Sequence, residues 1–156
     1  MNNTAQNKLK LLAGVLFAFY IVIVVYLLLF ADAIGRSATA EYHYNLIPFR
    51  EISRYFENAD ILGDWSFFMN TFGNVFFFLP FGFLLPAFVK PFRRFYITIM
   101  LGMVFSALME TLQLITRVGS FDVDDIILNT LGAVLGYVIF KIAYALYDKR
   151  KQAKAK

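Results

Sequence analysis

The sequence predicts an all-α polytopic membrane protein, a bundle of four transmembrane helices with both termini inside the cell. Hydrophobic residues make up 60% of the 156 residues, whereas soluble globular proteins contain about 45–50%. Only two of the 26 charged side chains fall within four long apolar runs. A soluble domain of this size has too little interior to bury so much apolar surface. The composition therefore excludes a soluble enzyme, a disordered chain and a nucleic-acid-binding protein. It predicts that the chain lies in a lipid bilayer.

Each apolar run reaches the roughly 20 residues that a helix needs to cross a bilayer. We predict spans at about 11–30, 67–89, 95–115 and 126–147, within one membrane domain that covers residues 1–156. The first run could instead be a signal peptide, because Ala31-Asp32-Ala33 has the form of a cleavage site. The apolar region of a signal peptide is usually shorter, so we expect this run to be retained as an anchor.

The charges of the connections predict the orientation. The N-terminal segment, the turn 90–94 and the tail 148–156 are basic, whereas the loop 31–66 and the segment 116–125 are acidic. Lys and Arg are enriched in cytoplasmic connections of membrane proteins. We therefore expect both termini and the turn 90–94 in the cytoplasm, and the two acidic connections outside.

Polar residues gather near the outer ends of three predicted spans. Glu110, Gln113 and Arg117 would share one face of the third span if the helix continues that far. An ionisable residue inside a span is costly to insert, so Glu110 marks a candidate functional site. We expect a ligand-binding site at this outer face, with Glu110 and Asp125 as the candidate general acid or base.

The same residues have structural interpretations, which stay open at this point. Asp122 or Asp124 could cap the fourth helix, and Glu110 could form an ion pair with Arg117. The asparagines of the second and fourth spans could join helices through hydrogen bonds.

Metal binding and cofactors are not expected from this sequence. Asp122, Asp124 and Asp125 offer oxygen ligands for Ca²⁺ or Mg²⁺, but they lack the loop framework of a known calcium site. The chain has no cysteine and a single histidine, so it has no thiol nucleophile and cannot build a zinc site from histidines alone.

Two further patterns concern how the spans pack. Pro80 predicts a kink or a break in the second span, and a break could open an outer cavity. Gly132 and Gly136, and likewise Gly102 and Ser106, are small residues four positions apart that permit close helix approach. We expect them to pack within the chain, with a homodimer as the alternative.

Four motifs in order resemble the VanZ-like family of membrane proteins. They are Asn45–Phe49 (NLIPF), Asn74–Gly82 (NVFFFLPFG), Glu110–Gln113 (ETLQ), and Arg117–Asp125 (RVGSFDVDD) followed by Asn129–Gly132 (NTLG). The resemblance covers roughly residues 11–147. It implies a multi-pass protein of the bacterial inner membrane, related to an accessory component of glycopeptide-resistance clusters that is linked to teicoplanin resistance.

Together, the motifs and the spacing of polar residues define the predicted ligand-binding set. It comprises Asn45, Asn74, Glu110, Gln113, Arg117, Asp122, Asp125 and Asn129. The guanidinium of Arg117 suits a phosphate. We therefore predict a protein that acts on or shields a cell-envelope lipid or a peptidoglycan precursor and lowers susceptibility to teicoplanin-type glycopeptides. A small transporter or flippase, and a scaffold for envelope enzymes, are the alternatives, and the sequence is compatible with binding as well as with catalysis.

Overall fold

The computed structural model describes residues 3–27, 42–57 and 64–153, and the side chains of 7–27, 42–57 and 72–153. The elements in chain order are α1 (Asn3–Tyr26), β1 (Tyr44–Asn45), α2 (Arg50–Glu57), α3 (Asp64–Phe88), α4 (Phe95–Thr116), β2 (Phe121–Asp122) and α5 (Val123–Ala153). A short 3-10 helix, Lys90–Arg93, joins α3 to α4. The two strands form a parallel pair of two residues each.

The long helices confirm the all-α fold class, and each of them overlaps one predicted span, while the number of spans stays a prediction. Helices α1, α4 and α5 are each long and apolar enough to cross a membrane. The second predicted span corresponds to α3, whose described apolar part, Phe72–Phe88, is shorter. Helix α5 continues to Ala153, so the basic tail predicted at 148–156 begins as helix. The sides on which the termini lie stay a prediction, and the candidate cleavage site at 31–33 lies outside the described residues.

Helix α3 packs against α1, α4 and α5 and forms the middle of the bundle. Its side chains Phe78, Phe81 and Leu85 are buried together with Val24 of α1 and Ala133 of α5. Many large apolar side chains of α1, α4 and α5 point outward instead, as expected for helices in contact with lipid.

Glycines set the distance between α3 and α5. A Cβ atom added at Gly136 would lie 2.0 Å from the carbonyl oxygen of Leu79, and one added at Gly82 would lie 1.9 Å from that of Ala133. A Cβ atom added at Gly132 would lie 2.3 Å from the carbonyl oxygen of Val75. These small residues therefore pack within the chain, which is the arrangement that their spacing favoured.

Helix α3 is continuous through Pro80 and Pro86, so Pro80 does not break it. A proline inside a helix deprives a carbonyl in the preceding turn of its hydrogen bond, and neighbouring helices can supply the missing donors. The hydroxyl of Tyr20 on α1 donates to the carbonyl of Phe77, at 2.7 Å. The Nε of Arg93 donates to the carbonyl of Pro86, at 3.2 Å. Both bonds tie the proline-containing part of α3 to neighbouring segments, although the carbonyls that lose a helical bond to a proline are those of Phe76 and Gly82.

Candidate functional site

The short parallel strand pair ties the segment before α2 to the segment before α5. Tyr44 lies opposite Phe121, and Asn45 lies opposite Asp122. The backbone N–H of Phe121 adds a hydrogen bond to the carbonyl of His43, at 3.2 Å. This pairing brings Asn45 against residues that follow it by more than 70 positions in the chain.

Asp122 is the centre of a buried hydrogen-bond network at this end of the bundle. Its Oδ1 accepts from the Nδ2 of Asn45 at 3.0 Å and from the N–H of Asp124 at 2.8 Å. The second bond makes Asp122 the N-cap of α5. The N–H of Asp122 donates to the Oε2 of Glu110 at 3.0 Å, and the Glu110 side chain is only 2% exposed. Burial raises the pKa of the Asp122 carboxyl, although hydrogen bonds from Asp124 and Asn45 oppose the rise.

Asp124 caps a different helix. Its Oδ1 accepts from the N–H of Phe49 at 2.5 Å, and its Oδ2 accepts from the N–H groups of Glu51 at 2.8 Å and Ile52 at 3.1 Å. These donors belong to the start of α2, whose unpaired N–H groups and dipole favour a carboxylate. Asp124 is 1% exposed. The sequence indicated that Asp122 or Asp124 caps the fourth span. In the structure Asp122 caps α5, whereas Asp124 caps α2.

Phe49 holds an unusual backbone conformation beside this cap. Its φ is +66°, a region that non-glycine residues occupy rarely and at a cost in free energy. The hydrogen bond from its N–H to Asp124 helps to hold this conformation. The Phe49 side chain is exposed, as are its motif neighbours Leu46 and Ile47.

Asp125 and Asn74 form the accessible part of the polar end. The Nδ2 of Asn74 on α3 donates to the Oδ1 of Asp125 on α5 at 2.5 Å, and both side chains are half-buried. Tyr55 of α2 is close by. Burial raises the pKa of its phenol, and the charges of Glu51 and Asp125 raise it further. Arg54, which is exposed, pairs with Glu51 at 2.5 Å.

Asn129 lies one helical turn further along α5 and joins it to α4. Its Nδ2 donates to the Oγ of Ser106 at 2.9 Å, and both residues are buried. The Oδ1 of Asn129 is the one buried side-chain oxygen or nitrogen without a hydrogen-bond partner among the side chains that the structure describes. Asn129 and Asn74 thus both form hydrogen bonds between helices, in line with their structural interpretation.

Arg117 does not stay on the helical face of Glu110 and Gln113. Helix α4 ends at Thr116, and Arg117 takes a left-handed conformation with φ 57°. Its guanidinium carbon lies 4.6 Å from the ring centroid of Tyr42, and its Nη2 donates to the Tyr42 hydroxyl at 3.1 Å. Arg117 is exposed, whereas Gln113 is buried. The spacing predicted a shared face only if the helix continued, and it ends one residue too early.

The predicted site residues therefore fall into three groups by burial. A buried frame contains Asn45, Glu110, Gln113, Asp122 and Asn129. Asn74 and Asp125 are half-buried, and Arg117 is exposed.

Three residues that the predicted set omits also shape this end: Asp124, Tyr42 and Tyr55. Asp124 lies in the same Asp-rich motif, but nothing in its spacing shows that it caps α2. Among the residues that the structure describes, no group of three His, Asp or Glu is placed to hold a metal ion.

The long apolar helices and the polar network at one end define a helical membrane protein. The model of the VanZ/LLP1 family matches residues 17–144, and the chain belongs to this family. It is also similar to Protein VanZ of Enterococcus faecium, with 29% identity over 148 residues that cover 91% of this chain and 81% of that protein. No solved structure matches the chain. The resemblance predicted from four ordered motifs is thereby confirmed.

Proposed function

We propose that this chain is a multi-pass protein of the bacterial cell membrane that binds a lipid-linked peptidoglycan precursor at its polar end. By shielding the precursor it lowers susceptibility to teicoplanin-type glycopeptides. The proposal extends the resistance role that the family resemblance implies. The observation that carries it is the half-buried pair Asn74–Asp125, which joins α3 to α5 at the polar end.

The buried frame supports this pair without taking part in binding. Asp122 and Asp124 use their carboxylates to accept hydrogen bonds from Asn45 and from the backbone. Side chains that are locked by such bonds hold neighbouring groups in a fixed geometry. Asp125 follows directly on α5, so its position is fixed by the same network.

The chemistry of the accessible groups suits a phosphorylated, hydroxyl-bearing head group. The carboxylate of Asp125 accepts hydrogen bonds from sugar hydroxyls or amides. The Asn74 amide can both donate and accept hydrogen bonds. Arg117 presents an exposed guanidinium at the same end of the bundle, stacked on Tyr42. Guanidinium groups bind phosphate through paired charge-assisted hydrogen bonds.

Of the two candidate catalytic carboxylates, Asp125 is the one that a ligand can reach. Glu110 is 2% exposed and accepts from the backbone of Asp122. A role as general acid or base would therefore fall to Asp125, while Glu110 supports the frame. Binding alone is sufficient for shielding, so the proposal requires no reaction.

The packing of the bundle middle argues against the transporter alternative. A transport path needs polar positions through the whole depth of the membrane. Below the polar end, Phe78, Phe81 and Leu85 fill the space between the helices, with Ala133 and Val24 against them. The rings of Phe81 and Phe105 stack 5.6 Å apart in the same region.

A susceptibility assay in a teicoplanin-sensitive bacterium tests the proposal. Wild type should raise the inhibitory concentration of teicoplanin, and Asp125→Asn should abolish the rise at equal membrane abundance, because it removes the charge while keeping an acceptor for Asn74. Glu57→Gln is the matched control, since Glu57 is an exposed acid of α2 without a place in the network. Wild type without any effect would refute the resistance role. Full resistance with Asp125→Asn would refute the site and favour the scaffold alternative.

A further inference from the structure

A second feature lies at the opposite end of the bundle. A cavity of about 510 Å³ opens between α1, α3 and α5, near the start of α1 and the end of α5. This volume falls within the range of small-molecule binding pockets, about 300–1,000 Å³. Its apolar wall includes Leu12 and Leu16 of α1, Phe83 and Leu84 of α3, and Ala143 of α5.

The rim of the cavity is basic. Four cations from three segments line it, namely Lys10 of α1, Lys90 and Arg93 of the 3-10 helix, and Lys151 of α5, against the single acid Asp148. Within the part of the chain that the structure describes, the three lysines make no ion pair, and Asp148 accepts a hydrogen bond from Gln152 at 3.3 Å. The cavity therefore has an apolar interior and an edge with an excess of positive charge.

Arg93 is held in place by groups that do not neutralise its charge. Its Nε donates to the carbonyl of Pro86, and its guanidinium carbon lies 4.5 Å from the ring centroid of Tyr144. The ring centroid of Phe140 is 6.0 Å away. A guanidinium that lies over an aromatic ring can still bind phosphate through its remaining N–H groups.

We propose that this cavity binds an anionic phospholipid. An acyl chain of the lipid would lie along the apolar wall, and its phosphate would lie at the basic rim. The order of the lining, apolar inside and cationic at the helix ends, matches the order of apolar chain and charged head in a phospholipid. Basic pockets between transmembrane helices are known to bind anionic head groups. Lysine side chains at helix ends can reach such head groups while their stems stay along apolar surface. This site is independent of the proposed function, because it shares no residue with the polar end.

Native mass spectrometry of the full chain in detergent micelles provides the test, with phosphatidylglycerol and phosphatidylcholine as probes. We expect wild type to retain phosphatidylglycerol over phosphatidylcholine. The double variant Lys90→Gln/Lys151→Gln should bind phosphatidylglycerol about thirtyfold more weakly. Ala143→Trp, which fills the cavity and leaves every charge in place, should also reduce binding.

The double variant Lys141→Gln/Lys149→Gln is the matched control. It removes the same charge from exposed positions of α5 that do not line the cavity, so it should bind like wild type. Equal losses in both double variants would show attraction to the general surface charge and overturn the proposal. Equal retention of both lipids, or unchanged binding by the Ala143→Trp variant, would also overturn the proposal. Displacement of the lipid by glycerol phosphate at the same concentration would overturn it as well. A dimer that forms only without lipid would show that the cavity is covered by a second copy of this chain, and this result would also overturn the proposal.

Discussion

Asp122, Asp124 and Asp125 stand within four positions of one another, yet they have three different partners. Asp122 binds Asn45 and caps α5, Asp124 caps α2, and Asp125 pairs with Asn74. The first two side chains are buried and the third is half-buried. Residue type alone therefore does not distinguish the two buried acids that accept hydrogen bonds from the backbone from the acid that stays partly exposed.

Asp124→Ala should destabilise the protein by about 2 kcal/mol or more, because it removes an N-cap and leaves three N–H groups without an acceptor. Thermal unfolding in detergent micelles measures the total loss. Hydrogen exchange should be faster specifically at Phe49, Glu51 and Ile52, the three donors. Glu57→Ala, at the exposed end of the same helix, should change neither measurement. Unchanged exchange at α2 in the Asp124 variant would show that the cap does not hold this helix.

Asp122 should give the stability a distinct pH dependence. Burial raises its pKa in the folded state, so the folded form binds a proton more readily than the unfolded chain does. The contribution of Asp122 to folding stability is therefore fully present below the pKa that its carboxyl has in the unfolded chain. It is lost as the pH rises through the pKa of the folded state. Asp122→Asn keeps an acceptor and removes the titration. The variant should be at least as stable as wild type at pH 7, and its relative advantage should shrink as the pH falls toward 4.

The comparison of melting temperatures for wild type and Asp122→Asn between pH 4 and 7 isolates this group, because other acids affect both proteins equally. If the melting temperature of wild type rose relative to that of the variant as the pH rises, the raised pKa of Asp122 would be contradicted.

At the residue scale, the sequence predicts which polar side chains gather but not their individual partners. Periodicity placed Glu110 and Gln113 on one buried face, as observed. The cap of α2 by Asp124 joins residues more than 70 positions apart, and local spacing carries no information on such a pair. Arg117 departs from the prediction because α4 ends at Thr116 and Arg117 itself takes a left-handed conformation.

Among the elements, the interface between α3 and α5 is the closest, since glycines let the two backbones approach. Gly136→Ala should destabilise the protein by about 2 kcal/mol, because its Cβ would fall 2.0 Å from the Leu79 oxygen and force the helices apart. The control is the same substitution at Gly14 of α1, where the Cβ would meet only the Phe88 ring at 3.7 Å. Gly14→Ala should leave the melting temperature unchanged or raise it slightly. A Gly136 variant that melts like the Gly14 variant would refute the close packing.

Element boundaries were predictable where hydropathy decides them. The predicted bounds at 89, 95 and 115 lie within one residue of the observed helix bounds, whereas the last helix runs over Val123–Ala153 and not over 126–147. Pro80 was less informative, because a proline shows where a helix loses a hydrogen bond but not whether a neighbour replaces it. Here α3 stays helical through Pro80, and Tyr20 of α1 donates to the neighbouring carbonyl of Phe77.

On the scale of the whole molecule, an apolar middle separates two polar ends of different character. One end holds the acidic and amide network, and the other holds the basic cavity. The charge pattern of the connections predicted this polarity. The cavity itself was not predictable, because its walls come from three helices whose relative rotation depends on packing.

Binding of a lipid-linked peptidoglycan precursor to the purified full chain tests the central claim most directly. Native mass spectrometry should show one bound precursor with wild type, with Glu57→Gln and with Lys90→Gln/Lys151→Gln, and none with Asp125→Asn. This result would place the precursor at the Asn74–Asp125 pair and away from the basic cavity. No bound precursor with wild type, or equal binding by the Asp125 variant, would contradict the account.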